Sequence, residues 1–214
     1  MRAEQVKCVI FDCDGTLVDS EKLCCQALVT VFNQFGADYS YETALAHFSG
    51  GKIADILIKT RAYLGLNISI DTLEPLYREE VQALFERHLQ AMDGAQSILQ
   101  RLDERQIEYC VISNSPKEKA QHVLQLTGLM PYFKRKIFSA FEANSWKPEP
   151  DLIRYAAMNM GFTLDECLYV DDTEIGWETG CNAGIETVIL QEPHRIFSPE
   201  INTIPHLEAL AEWL

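Results

Sequence analysis

Basic residues are scarce in this sequence: 18 lysines and arginines stand against 32 aspartates and glutamates, a net charge of −14. A nucleic-acid-binding surface needs the opposite excess, which argues against that class of partner. Long hydrophobic runs are missing too. No stretch approaches the roughly 20 apolar residues of a membrane-spanning helix, so no membrane partner is expected. The seven cysteines (Cys8, Cys13, Cys24, Cys25, Cys110, Cys167, Cys181) show no CxxC spacing of the metal-binding kind. An odd count without a secretion signal predicts reduced thiols. Met1–Gln5 runs directly into a strand-like segment with no signal-type apolar region, which predicts a cytoplasmic chain. Internal repeats and low-complexity tracts are absent, and the expectation for assembly is a monomer or a weak homo-oligomer.

What is present is enough apolar material for a sizeable core: 47 % of 214 residues. Four short apolar runs read as strands, Val6–Phe11, Tyr109–Ile112, Leu168–Val170 and Thr187–Leu190, with a weaker fifth at Lys136–Phe138. Near-continuous apolarity in such short runs predicts strands covered on both faces, as in a parallel sheet. Helical patterns lie between the later runs: about Ala95–Arg105, Pro116 to Gly128, Pro148 to Gly161, and Ile175–Ala183 before Gly184. Proline near the start and glycine past the end punctuate them. Alternation of this kind predicts a doubly wound α/β core.

Residues 19–92 break the alternation and read as helix only. Ser20 is the expected cap of a helix whose apolar positions Leu23, Ala27, Leu28, Val31, Phe32 and Phe35 recur at helical spacing up to Gly36. Lys52–Leu64 gives a second helix, and Asp71 is the expected cap of a third, with Glu74 three residues on. The expected organisation is therefore a core of residues 1–18 and 93–214, interrupted by a small helical domain of residues 19–92. The insertion enters at the carboxyl end of the first strand, where open α/β sheets bind ligands.

Four segments carry candidate chemistry. Asp12-Cys13-Asp14-Gly15-Thr16 follows the first strand and sets two carboxylates two residues apart. Such a pair can share a divalent cation while one acid stays available to attack or to move protons. The plainer reading is a solvated Asp-x-Asp-Gly turn; an EF-hand is excluded, since its ligand series does not follow. Cys13 draws notice only through these neighbours. Ser113-Asn114-Ser115-Pro116 ends the second strand and opens a helix, bringing hydroxyl, amide and helix N-terminus together as an anion site. Trp146-Lys147-Pro148-Glu149-Pro150 fixes a lysine in a rigid segment before another helix, and Val170-Asp171-Asp172-Thr173 places a second acidic pair after a strand. Singly, each reads as a cap, a surface lysine or an exposed turn. Four at successive element boundaries are hard to explain as packing.

These four segments resemble the four motifs of the haloacid dehalogenase superfamily, and the inserted helices resemble the cap domain of its β-phosphoglucomutase-like subfamily. The resemblance implies a Mg²⁺-dependent phosphatase acting on a small phosphorylated metabolite, a sugar phosphate or a sugar-acid phosphate such as 6-phosphogluconate. It implies Asp12 as nucleophile and Asp14 as general acid and base. It implies Mg²⁺ held by Asp12, the Asp14 main-chain carbonyl and the Asp171/Asp172 pair, with Asp172 chosen as the direct ligand. Ser113, Asn114 and Lys147 would hold phosphoryl oxygens, with Thr16 beside them. Metal and lysine would also offset the repulsion between an anionic substrate and an acidic protein.

In the inserted domain, Phe48-Ser49-Gly50-Gly51-Lys52 resembles the subfamily's specificity loop. Gly50 and Gly51 would let backbone approach the ligand, and Lys52 would reach a distal anion or hydroxyl; a solvated first-turn lysine is the equal alternative. Arg78 is a further candidate. Two other readings are open. A sugar phosphomutase of the subfamily carries a histidine early in the first cap helix, where this chain has Cys24-Cys25. A phosphosugar-binding module without activity would be expected to have lost Asp12, which is present. A dehalogenase would lack the second acid that Asp14 supplies.

Overall fold

The first apolar run forms strand β1, Cys8–Asp12, buried along its whole length. The computed structural model describes residues 6–48, 51–191 and 195–214. Two compact units divide the chain, one of Met1–Val18 with Gln90–Leu214 and one of Asp19–Leu89.

The helical unit holds α1 (Glu21–Gln34), α2 (Tyr41–His47), α3 (Ile53–Tyr63) and α4 (Ile70–His88). Its core is the facing pair of stripes: Cys25, Leu28, Val31 and Phe32 from α1 and Leu73, Tyr77, Val81 and Phe85 from α4 are all buried, and these two helices pack together. Burial of each large side chain there contributes about 1.5–3 kcal/mol. Of two expected caps one holds in position and one is corrected. Ser20 is the residue before α1, but it has helical dihedrals and makes no side-chain cap bond; only its carbonyl takes part, accepting the Cys24 N–H. Helix α4 is capped by Ser69, whose hydroxyl accepts the Asp71 N–H at 3.2 Å. Asp71 lies in the first turn, where its charge suits the helix dipole. Helix α2 escaped the sequence reading. It is started by Ser40, whose hydroxyl accepts from Thr43 N at 3.1 Å. A bracket between Asn33 and the Tyr39 backbone, at 3.1 and 3.0 Å, turns the chain into it.

After the helical unit come α5 (Ala95–Glu104), β2 (Glu108–Ser113), α6 (Lys117–Leu126), α7 (Met130–Phe133), β3 (Ile137–Ser139), α8 (Ala140–Ala143) and α9 (Asp151–Met160). Then follow β4 (Cys167–Asp171), α10 (Glu174–Ala183), β5 (Glu186–Leu190) and β6 (Thr203–Ile204). The six strands form one sheet in the order β3-β2-β1-β4-β5-β6, every pair parallel. Gln90–Met92, assigned from sequence to the inserted helices, belong to this unit instead. The Met92 N–H donates to the Leu17 carbonyl at 2.8 Å and Ala91 bridges Val18, which ties the returning chain to the outgoing one.

Period two along the strands sorts the core into two layers. Cys8 and Ile10 of β1, Cys110 and Ile112 of β2, and Cys167 and Tyr169 of β4 share a cluster with Leu152, Ile153, Ala156 and Ala157 of α9. Helix α5 packs on β2 and on the C-terminal 3-10 turn Leu207–Trp213. Strands covered on both faces explain the unbroken apolar runs. The order reverses direction between β1 and β4, and at such a switch point the carboxyl ends of the strands splay apart and leave a crevice. Asp12 ends β1 and Asp171 ends β4. Among the described residues no helix is long and apolar enough to cross a membrane.

Candidate active site

Strand register decides which side chains meet at the switch point. Phe11 lies opposite Val170 and Asp12 opposite Ile112, so the residues that follow these strands emerge side by side. Asp12, Asp171 and Asp172 offer carboxylate oxygens within 4.8 Å of one another, and all three residues are buried. Like charges this close repel strongly unless cations intervene.

Lys147 is the first of those cations. Its ammonium donates to Asp12 Oδ1 at 2.5 Å and to Asp171 Oδ2 at 2.6 Å, with only 7 % of the side chain exposed. The segment that carries it is fixed at the backbone, where Lys147 N–H donates to Asn114 Oδ1 at 3.0 Å. Burial acts to lower the Lys147 ammonium, but Asp12 and Asp171 outweigh it and hold the group well above its usual range. Burial pushes the Asp12 carboxyl up, and Asp171 and Asp172 push the same way against Lys147. For Asp171 burial also acts upward. It is overcome by Lys147, Thr173 and Tyr169, so Asp171 is held below the usual range.

Asp171 is saturated with donors. Its Oδ1 accepts from the Asp172 and Thr173 N–H groups, both at 2.8 Å, and from the Thr173 hydroxyl at 2.6 Å. Its Oδ2 accepts from the Tyr169 hydroxyl at 2.5 Å as well as from Lys147. The carboxylate also rests against Gly176, where any Cβ would overlap it. Asp172 is held by other parts of the chain. The Thr16 hydroxyl donates to Oδ1 at 3.0 Å, and Arg195 Nη1 donates to Oδ2 at 2.8 Å and to the main-chain oxygen at 2.6 Å. Gly15, at φ +88°, leaves the space that the Asp172 carboxylate fills.

The remaining candidates fall as follows. Asp14 sits in a tight loop in which Gly15 N–H donates to Val18 O at 2.9 Å, and it is half-buried, outside the three-acid cluster. Ser113 is buried at the end of β2, its hydroxyl accepting from Ser115 N at 3.0 Å. The Ser139 hydroxyl at the end of β3 donates to Ser115 O at 2.7 Å and so steadies that loop. Cys13 is fully buried; burial first, then Asp14 and Asp12, push its thiol well up, which makes it a packing residue. In the helical unit, Gly51 has φ +101° and Lys52 is the residue before α3, while Gly50 lies outside the described residues. Arg78 is paired with Glu74 one turn back on α4, at 2.6 Å, with 56 % of its side chain exposed. A cavity of about 210 Å³ in that unit is lined by Leu28, Tyr39, His47, Phe48 and Tyr63, among others; it includes Phe48 of the Phe48–Lys52 segment and no residue of the four core segments.

Sequence reasoning missed Tyr169, Ser139 and Arg195. Tyr169 gave a usable signal, since a phenol inside a buried strand needs a partner for its hydroxyl. Arg195, 23 positions beyond Asp172 in a loop without a motif, gave none.

An all-oxygen, buried, anionic donor set is what a hard divalent cation requires, and Gly15 leaves room for the Asp172 carboxylate to join it. The model of the family described as haloacid dehalogenase-like hydrolase matches residues 9–190. The 6-phosphogluconate phosphatase of Escherichia coli K12 is 36 % identical over 211 residues, covering 97 % of this chain and 94 % of its own. A haloacid dehalogenase-like protein of unknown function from Agrobacterium tumefaciens superposes with a TM-score of 0.78 at 27 % identity, over 97 % of this chain and 90 % of its own. A putative β-phosphoglucomutase from Thermotoga maritima gives 0.78 at 20 % identity, over 98 % of this chain and all of its own, a likeness of fold. The chain belongs to the haloacid dehalogenase-like hydrolases and is a phosphatase of the phosphoric monoester hydrolase class.

Proposed function

We propose that this phosphatase is Mg²⁺-dependent, acts on a small phosphorylated sugar or sugar acid such as 6-phosphogluconate, and works through an aspartyl phosphate. The observation that carries the reading is the single buried lysine bonded to Asp12 and Asp171 beside Asp172. In that arrangement Lys147 favours the ionised, nucleophilic form of Asp12 against burial and the neighbouring acids, which push its carboxyl up. The substrate class is supported by the relative that hydrolyses 6-phosphogluconate, similar along nearly the whole chain.

Asp12 would attack phosphorus through a carboxylate oxygen, forming the acyl phosphate as the bond to the sugar oxygen breaks. Asp14 would give its proton to the departing alkoxide, then take one from the water that hydrolyses the acyl phosphate, releasing inorganic phosphate and restoring Asp12. Ser113 and Asn114, with the N-terminus of α6, would hold the phosphoryl oxygens, and Thr16 would line the same turn. Asp12, Asp172 and the Asp14 main-chain carbonyl would hold Mg²⁺. Asp171 already receives five donors, more than the roughly four lone pairs a carboxylate offers. It is therefore assigned to fixing Lys147 rather than the metal. When bound, Mg²⁺ supplies positive charge that neutralises the transferring phosphoryl group. Lys147 supplies a second positive charge, and together they offset the field of a protein carrying −14.

The test is phosphate release over sugar phosphates, sugar-acid phosphates and nucleotides, for the wild type and for Asp12→Asn. A neutral amide cannot form the acyl phosphate, so the variant should be inert while remaining folded. Steady-state turnover by verified Asp12→Asn protein would overturn the mechanism, and full activity in EDTA would overturn the metal.

A further inference from the structure

Two protein cations serve the three carboxylates at the switch point. Lys147 serves Asp12 and Asp171; Arg195 pairs with Asp172 at 2.8 Å, with the arginine side chain 13 % exposed and that of Asp172 2 % exposed. The two cations differ in how they are held. Lys147 stands just before a helix, its backbone bonded to Asn114. Arg195 comes from the stretch between β5 and β6, outside any regular element. One guanidinium nitrogen, Nη1, meets both the Asp172 carboxylate and its main-chain oxygen. An arginine keeps its charge at any pH the protein meets.

A permanent positive charge on the carboxylate that a divalent cation would use opposes that cation. Without the cation, the same charge relieves the repulsion among three buried acids. Guanidinium and metal are therefore alternatives at Asp172. We propose that Arg195 is a tethered counter-ion that competes with the divalent cation for Asp172. It holds the carboxylate in place in the metal-free protein and weakens cation binding. The inference rests on the reading of Asp172 as a metal ligand. Arg195 is a positioning residue, since it acts through Asp172 and not on the substrate.

The test needs no turnover. Mg²⁺ is titrated calorimetrically into the full-length wild type, Arg195→Gln and Arg195→Lys, with unfolding midpoints recorded in EDTA. Removing a unit charge at this distance should tighten Mg²⁺ binding by about tenfold or more in Arg195→Gln, because partly buried charges are weakly screened. Its midpoint in EDTA should fall. Arg195→Lys, which keeps the charge, should stay close to the wild type in affinity. Mg²⁺ affinity that is unchanged or weaker in Arg195→Gln would overturn the proposal. A second measurement uses the wild type alone. The guanidinium protons of Arg195, assigned by their loss in Arg195→Lys, should exchange slowly in EDTA and rapidly with saturating Mg²⁺. Exchange indifferent to Mg²⁺ overturns the proposal even if the glutamine variant does not fold. Failure of the wild type to bind Mg²⁺ at all would remove the metal reading along with this one. Binding without the affinity gain would remove this one alone.

Discussion

The side-chain oxygen of Asn114 receives the main-chain N–H of Lys147 at 3.0 Å, joining two segments 33 positions apart. The lysine that spans Asp12 and Asp171 is thereby positioned from the loop after β2. Asn114→Ala should lower kcat/KM by about 100-fold, the usual consequence of misplacing a catalytic group by about 1 Å. Because the loss falls on the chemistry at phosphorus, it should be similar for 6-phosphogluconate and for p-nitrophenyl phosphate. Parallel steady-state assays on the two esters check it.

Gly15 and Gly36 make a controlled pair. Both have φ above +80°, but a Cβ on Gly36 meets nothing within 4 Å, whereas one on Gly15 would overlap the Asp172 carboxylate. Gly36→Ala should cost about 1–2 kcal/mol of stability, the backbone strain alone, and leave activity unchanged. Gly15→Ala should cost more and should also abolish activity by displacing Asp172. Urea unfolding and phosphate-release assays on both variants separate strain from displacement.

Lys52→Ala tests recognition away from phosphorus. If this side chain binds the far end of a phosphosugar, its loss should raise KM for that substrate with little change in kcat. A minimal ester such as p-nitrophenyl phosphate should be nearly unaffected. Equal losses on both esters would assign Lys52 to support of its own helix, α3.

The acid limb of stability should register Glu166. Lys7 at 2.7 Å, together with the Thr163 N–H and hydroxyl, holds its carboxyl down at about 2 from an ordinary 4.5. The unfolded chain therefore binds the proton first as pH falls. The stabilisation is complete above the ordinary value and disappears between about 4.5 and about 2. Exposure to water keeps it modest. Glu166→Gln should have a lower urea midpoint than the wild type near neutral pH, with the difference narrowing as the acid limb is descended.

The parts of this molecule that announce themselves in sequence are those whose cause is local. Buried strands appear as apolar runs, and acids at their ends stand out because carboxylates seldom follow such runs without a task. Lys147 is marked by the prolines around it. Strand β6 is invisible because its two residues take their place from β5, through Ile189 opposite Thr203, and not from any pattern of their own. Helix α2 is too short for its spacing to rise above chance. Asp71 is a sound capping residue type two positions past the true cap, Ser69, and Ser20 stands at the cap position without using its hydroxyl; neither detail can be read from residue type alone. Arg195 is tied to Asp172 by the fold alone.

The Leu17–Met92 hydrogen bond and the Val18–Ala91 bridge have an evolutionary consequence. They hold the points where the chain leaves and re-enters the α/β unit side by side, so the insertion spans a closed gap in that unit's own chain. An insertion of another length or shape can be exchanged there without moving β1 or the acids at its tip. A lineage built on this plan can therefore change its insertion while leaving the strand-tip acids untouched.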